Sequence, residues 1–207
     1  MIFKKKYKNW EKEDIPFFRG YIHFIMSNYY ILELLQRKKI KLKKKILLFF
    51  IILQYIISNI YNRIYLKDKE TENFIGLLDN IWVSLNSIYK IWLIINNKLF
   101  IYISVSVLIY LLYKCKEDFI KNYYALIPYL VSIPFIIKLN NKKKYKFYKY
   151  YIITFICFSP FLFDYSIINK KKKNNILSKN KYFRFYDLMH LNFAVLDYLF
   201  YKDNTLI

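Results

Sequence analysis

Residues 46–61 read ILLFFIILQYIISNIY, and only Gln54, Ser58 and Asn59 interrupt an otherwise apolar and aromatic run. Apolar and polar residues do not alternate, as they would over roughly 10 positions of a membrane strand. A segment apolar on every side reads as a helix that water does not touch. Lys43, Lys44 and Lys45 precede it and Arg63 follows it, with Tyr61 at its end. Cations and aromatic rings are the side chains that suit a boundary between hydrocarbon and water.

Outward from this run the same alternation of apolar stretch and basic cluster repeats along the chain. Further stretches cover residues 20–36, 77–95, 99–113, 123–137, 148–168 and 185–201. A spanning helix needs about 20 residues, with a range of roughly 17–25. Several stretches sit at or below the lower bound, and terminal Tyr and Lys extend their reach. Pro128, Pro134 and Pro160 lie inside two of them, which membrane bundles tolerate when neighbours satisfy the freed backbone groups. The expectation is an all-α polytopic integral membrane protein with seven transmembrane helices in a bundle. A basic cytosolic segment, residues 1–19, precedes the bundle at 20–201, and 202–207 form a short tail. The first apolar run begins late and lacks a small-residue cleavage site, so it is expected to be retained rather than removed as a signal peptide. The loops on the N-terminal side hold 19 Lys and Arg against 14 on the other side, which places the N-terminus in the cytosol.

Composition agrees with this class and excludes others. The chain has 207 residues, 57% of them hydrophobic and 22% aromatic, and holds only 2 Gly. Disorder needs low hydrophobicity and is excluded. Two glycines, Gly20 and Gly76, cannot build a phosphate-cradling loop. Cys115 and Cys157 match no metal or redox spacing and read as small apolar fillers. The net charge of +21 would suit nucleic acid or an anionic surface. However, Lys, Ile, Asn, Tyr and Phe make up 125 of the 207 residues. All five have A- and T-rich codons, so an AT-rich genome accounts for the lysine load without an anionic partner. The tracts at 142–149 and 170–173 therefore read as loops at lipid headgroups, with membrane lipids as partners and no nucleic acid.

Polar groups inside apolar stretches cost free energy and mark candidate sites. Ser58 to Asn62 close the second stretch, Asp79 and Asn80 open the third, Asp164 lies late in the sixth, and Tyr186, Asp187 and His190 lie in the seventh. In an up-and-down bundle the clusters of the second, third and seventh stretches share one end. Asp79 and Asp187 also fall in first turns, where a carboxylate suits the helix dipole. His23 falls at the same end as His190 and could approach it, although no conventional metal set follows from two histidines.

These positions resemble the hemolysin III / progestin and adipoQ receptor family of seven-helix membrane proteins. Arg19-Gly20-Tyr21-Ile22-His23 looks like that family's Arg-Gly-aromatic-x-His opening of the first helix. Ser58-Asn59-Ile60-Tyr61-Asn62 sits where the family has Ser-x-x-x-His. Leu78-Asp79-Asn80 is similar to its Leu-Asp-His, and Tyr186-Asp187-Leu188-Met189-His190 to its His-x-x-x-His. The resemblance implies a bundle holding zinc through three histidines, with the Asp reached through a water, and ceramidase-like hydrolysis of lipid amides. The chain departs from the pattern at Asn62 and Tyr186, which replace two of the three imidazoles. Asn ligates zinc poorly, and Tyr, with a reference pKa near 10, ligates well only when deprotonated.

The expectation is a degenerate site. Asp79 and His190 remain as metal positions, and Ser58 and Asp79 as catalytic residues only in an active enzyme. The leading expectation is thus a hemolysin III-like protein without catalysis, acting as a membrane-perturbing, pore-associated or lipid-binding protein. Two alternatives stay open: a zinc-dependent lipid amidase that keeps the metal, and a structural subunit of an organellar membrane complex. A homo-oligomer or a complex partner is compatible with each.

Overall fold

The computed structural model of the chain describes residues 3–4, 17–36, 40–63, 65–66, 69–114, 127–170 and 185–203. Among these residues the fold is all-helical apart from one antiparallel pair of two-residue strands. The strands are β1 (Phe3–Lys4) and β2 (Tyr65–Leu66), with Phe3 opposite Leu66 and Lys4 opposite Tyr65. The helices are α1 (Phe17–Gln36), α2 (Leu42–Arg63), α3 (Lys69–Ile95), α4 (Lys98–Lys114), α5 (Ile127–Ile136), α6 (Asn141–Lys170) and α7 (Phe185–Lys202).

Each of the seven apolar stretches is a helix, and the ends differ where polar residues carry the helix further. The tract at 142–149, expected as a loop, forms the first turns of α6. Lysine is a good helix former, and the side chain of Asn140 caps the start by accepting from the Lys143 amide at 3.0 Å. Phe147 and Tyr150, one turn apart, are buried against the bundle and hold that turn in place. α3 likewise begins at Lys69 rather than near Leu77, through the acidic stretch Glu70, Thr71, Glu72. Asp79 therefore sits in the body of α3 and not in its first turn, so the helix-dipole account of it is withdrawn. The fifth stretch, expected over 123–137, is helical over Ile127–Ile136, and residues 123–126 lie outside the described residues.

The α3–α4 corner is made by two asparagines. Asn96 takes a left-handed φ of 54°, a conformation that Asn tolerates better than most residues. Its amide donates to the Trp92 carbonyl at 2.7 Å. Asn97 then caps α4, its Oδ1 accepting from the Leu99 amide at 2.9 Å.

α3 is the central element because two of its faces are covered. Ile88, Ile91 and Ile95 pack into one cluster with Phe100, Leu108, Tyr129, Ile136, Phe147, Tyr150, Leu196 and Phe200. Leu93, with Lys90 and Asn86 three and seven residues before it, faces a second cluster. That cluster holds Ile22 and Tyr30 of α1, Leu47, Leu48, Ile51 and Tyr55 of α2, and Ala194 and Tyr201 of α7. α7 closes the bundle against α1, α2 and α6.

Large apolar side chains stand on the outer faces, and a set of polar side chains is buried among the apolar clusters. Phe24, Ile25, Leu32, Phe49, Ile109, Leu130, Ile152 and Phe155 stand exposed on the outer faces. Ser27, Ser58, Ser84, Asn86, Ser87, Lys90, Ser104, Ser132, Thr154 and Asp197 are buried. The all-α architecture is as expected among the described residues. Among the described residues, no helix is long and apolar enough to cross a membrane. The physical reasons are local: Lys43, Lys44 and Lys45 lie inside α2, and Asp79, Asn80, Asn86 and Lys90 inside α3. α5 has 10 residues and reaches about 15 Å, against a hydrocarbon thickness of about 30 Å.

The cap at the α3–α4 corner is testable. Asn97→Ala is expected to destabilise the fold by about 1 kcal/mol, read as a lower midpoint in thermal unfolding. An unchanged midpoint would show that the corner does not depend on this hydrogen bond.

Candidate functional site

The polar interior is assembled by helical spacing. On α1, His23, Ser27 and Tyr30 recur at steps of four and three and share one buried face. On α7, His190, Ala194, Asp197 and Tyr201 recur at steps of four, three and four. Tyr55 and Ser58 are three apart on α2, and Asn86 and Lys90 four apart on α3. Four helices thus each direct one polar stripe at the others.

The deepest contact is an ion pair. Lys90 Nζ donates to Asp197 Oδ1, with side chains 5% and 1% exposed. Tyr55 donates its phenol proton to the other carboxylate oxygen, Oδ2, at 2.9 Å. One carboxylate therefore ties α7 to α3 through charge and to α2 through a hydroxyl. Removing two charges from water costs several kcal/mol per ion, and close pairing with added hydrogen bonds offsets that cost. Phe200 places its ring 6.0 Å from Lys90 Nζ, an additional favourable contact for the cation.

On the side toward the ends of α1 and α7 that begin the two helices, His23 and His190 meet. Nε2 of His23 lies 2.9 Å from Nδ1 of His190, and the rings are set edge to face at 4.8 Å. The His23 ring also lies 5.7 Å from the Tyr55 ring. Ser58, one turn along α2 from Tyr55, donates to Asp79 Oδ1 on α3. Asn86 Nδ2 donates to Gln54 Oε1 between the same two helices.

Toward the opposite end, Tyr30 stacks on Tyr55 at 6.2 Å and meets Tyr201 edge-on at 5.7 Å. Tyr201 donates to Glu33 Oε2 at 2.6 Å, and Tyr29 donates to Glu33 Oε1 at 3.1 Å. Lys202 completes this end with its Nζ 3.8 Å from Glu33 Oε1.

Sequence reading placed Ser58, Asp79 and His190 at one end of the bundle, and the structure brings Ser58 and Asp79 into contact. It also joins His190 to His23, which the sequence reading had placed at the same end. The side chains of Asn62, Asp164, Tyr186 and Asp187 lie outside the described residues. Sequence reading missed Lys90 and Asp197 as a site. The available signal was a single cation within residues 84–95 and a single acid within 193–200, each alone in an apolar helix. Isolated opposite charges in such surroundings are expected to find each other.

Of the expected metal positions, the side chains of Asp79 and His190 are described and those of Asn62 and Tyr186 are not. A catalytic zinc takes three protein ligands as a rule. Among the described residues no three His, Cys, Asp or Glu side chains form a group that could hold a metal ion. Instead the two imidazoles bond to each other and Asp79 accepts from Ser58. No protein-family model, curated protein or solved structure matches this chain.

Metal analysis of the purified protein tests this assignment. Zinc is expected well below one per chain, and unchanged in His190→Ala. One zinc per chain, lost on that substitution, would show that a metal site survives with other ligands.

Proposed function

We propose that this chain is a polytopic membrane protein built like a divergent hemolysin III-type bundle, and that it binds lipid without catalysing a reaction. The reading rests above all on the apolar exterior of the helices. Large apolar side chains cover the outer faces of α1, α2, α4, α5 and α6, while a lysine, an aspartate and a row of serines occupy the interior. In water such an exterior would associate or aggregate, since soluble monomers rarely expose apolar patches beyond a few hundred Å². In hydrocarbon it is the low-energy exterior. Small residues and hydroxyls at helix contacts suit packing between helices in lipid.

The polar residues that lower the hydropathy of each helix bear on this directly. Averaging along a helix counts inward and outward side chains alike. Ser58, Asn86, Lys90 and Asp197 are buried in the bundle and do not meet the surroundings. In this reading the N-terminus faces the cytosol and the basic segments meet anionic headgroups. The contact between Ser58 and Asp79 joins two of the positions at which the chain resembles that family.

A lipid ligand is supported by a groove between α1 and α7. Ile25, Met26, Tyr29, Leu191, Ala194, Val195 and Tyr198 line a groove of about 340 Å³. One end of the groove opens on charge, since Tyr29 donates to Glu33 and Lys202 Nζ lies 5.5 Å from the Tyr198 ring. An acyl chain suits this apolar lining.

Spin labels test the membrane reading. In a background with Cys115 and Cys157 changed to Ser, nitroxides at Ile109→Cys and Ile152→Cys are placed in vesicle-reconstituted protein. Both are expected to collide with dissolved oxygen far more than with a water-soluble nickel chelate, with Lys142→Cys showing the reverse. Equal access of the chelate at all three positions would overturn it.

A further inference from the structure

We propose that the cleft between α5 and α6 binds an anionic phospholipid, with an acyl chain held between the two helices and the phosphate on Lys144. This deepens the lipid-binding reading given above, adding a second site and a lipid class, and it rests on that reading. The cleft follows from how the two helices part. α5 ends at Ile136, and the chain turns there with the Leu139 amide donating to the Ile136 carbonyl at 3.0 Å. α6 then packs mainly along α7 and touches α5 little. The space left between α5 and α6 is about 360 Å³, and small-ligand sites run from about 300 to 1,000 Å³.

The lining passes from apolar to charged. Ile136 and Phe147 are buried at its floor, and Ile133 and Tyr151 flank them. Tyr151 stacks on Phe147 with ring centroids 5.7 Å apart, which braces that wall. Tyr148, half exposed, and Lys144 complete the rim.

Lys144 is what marks the cleft for an anion. It is half-buried, and among the described residues it makes no ion pair. Asp203, a carboxylate that meets this part of α6, is engaged by others: Tyr150 donates to it at 3.0 Å and Lys146 Nζ lies 3.9 Å away. The first turn of α6 adds Lys142 and Lys143 and carries no acid, the reverse of what the start of a helix favours. A cation set against apolar side chains gives up hydration, and a counter-charge offsets that cost. Lysine binds phosphate as a point charge. The α1–α7 groove differs in this respect, because Lys202 at its end already lies 3.8 Å from Glu33. An uncompensated cation on the rim of an apolar cleft fits an amphiphile of opposite charge. In the membrane reading this corner lies at headgroup level, where a bilayer lipid presents both its phosphate and its chain.

Native mass spectrometry of the full, delipidated chain in detergent tests the site. Phosphatidylglycerol is expected to bind about tenfold more tightly than phosphatidylcholine, and Lys144→Gln to remove that preference. Lys144→Arg should retain it. Ile133→Trp keeps the charge but fills the cleft, and should weaken phosphatidylglycerol about tenfold. Lys98 is an exposed cation at the same corner, since the ring of Phe100 meets that of Phe135 at 5.7 Å. Lys98→Gln is expected to bind as wild type does. A loss in Lys98→Gln equal to that in Lys144→Gln would show diffuse attraction to a basic surface and overturn the site. Full binding by Ile133→Trp would overturn the placement of the chain. Displacement of the lipid by inorganic phosphate, or oleate binding as tightly as phosphatidylglycerol, would overturn the assigned class. Flotation with vesicles separates the two proposals. Wild type that floats yet binds both phospholipids alike overturns the site and leaves the membrane reading standing, whereas protein that does not float overturns both.

Discussion

A lysine and an aspartate buried together in the interior set the terms for the rest of this fold. Lys90 and Asp197 are 107 residues apart, and neither side chain is more than 5% exposed. Uncompensated, either charge would cost several kcal/mol, and removing one partner of a buried pair typically costs about 3–5 kcal/mol. α7 is therefore constrained to return to α3 at this register. Tyr55 fixes α2 to the same carboxylate. Tyr30 and Tyr201 extend the constraint to α1 through stacked and edge-on rings. Apolar contacts alone, being non-directional, would permit several rotations of each helix. The ion pair and its hydroxyls select one.

The exterior follows from that choice. With the polar stripes of four helices turned inward, the remaining faces are apolar and aromatic, and Leu35, Tyr102, Ile109 and Ile156 stand well exposed. The basic residues collect at helix ends: Lys43, Lys44 and Lys45 in the first turn of α2, Lys142, Lys143 and Lys144 in the first turn of α6, and Lys202 in the last turn of α7. Lys44 lies 4.4 Å from the Tyr201 ring and Lys43 5.3 Å from the Trp92 ring, so these cations rest on interface-type aromatics. In the proposed membrane reading, such cations and rings lie at the boundary with water.

The seven helices were legible in the chain because apolar periodicity and length carry that information locally. Their ends were less so. α6 begins seven residues before its apolar run because Asn140 caps it and Phe147 and Tyr150 anchor it, and neither effect is visible in hydropathy. The contact between Ser58 and Asp79 was readable from up-and-down order, which puts the end of α2 beside the early turns of α3. The bond between His23 and His190 was readable only as a shared end, since spacing along the chain says nothing about which faces of α1 and α7 meet. The Lys90–Asp197 pair went unread for the same reason. A lone charge in an apolar stretch announces that a partner is needed, but the identity of the partner is a property of the tertiary register.

The most direct test of the account is a charge exchange at the buried pair. The account predicts that Lys90→Asp alone and Asp197→Lys alone each leave like charges buried together and abolish the folded protein in detergent. The double variant, which restores an opposite pair across the same helices, should recover the wild-type helical content and most of its thermal stability. A double variant as damaged as the worse single would contradict it, because α3 and α7 would then not meet at these two residues.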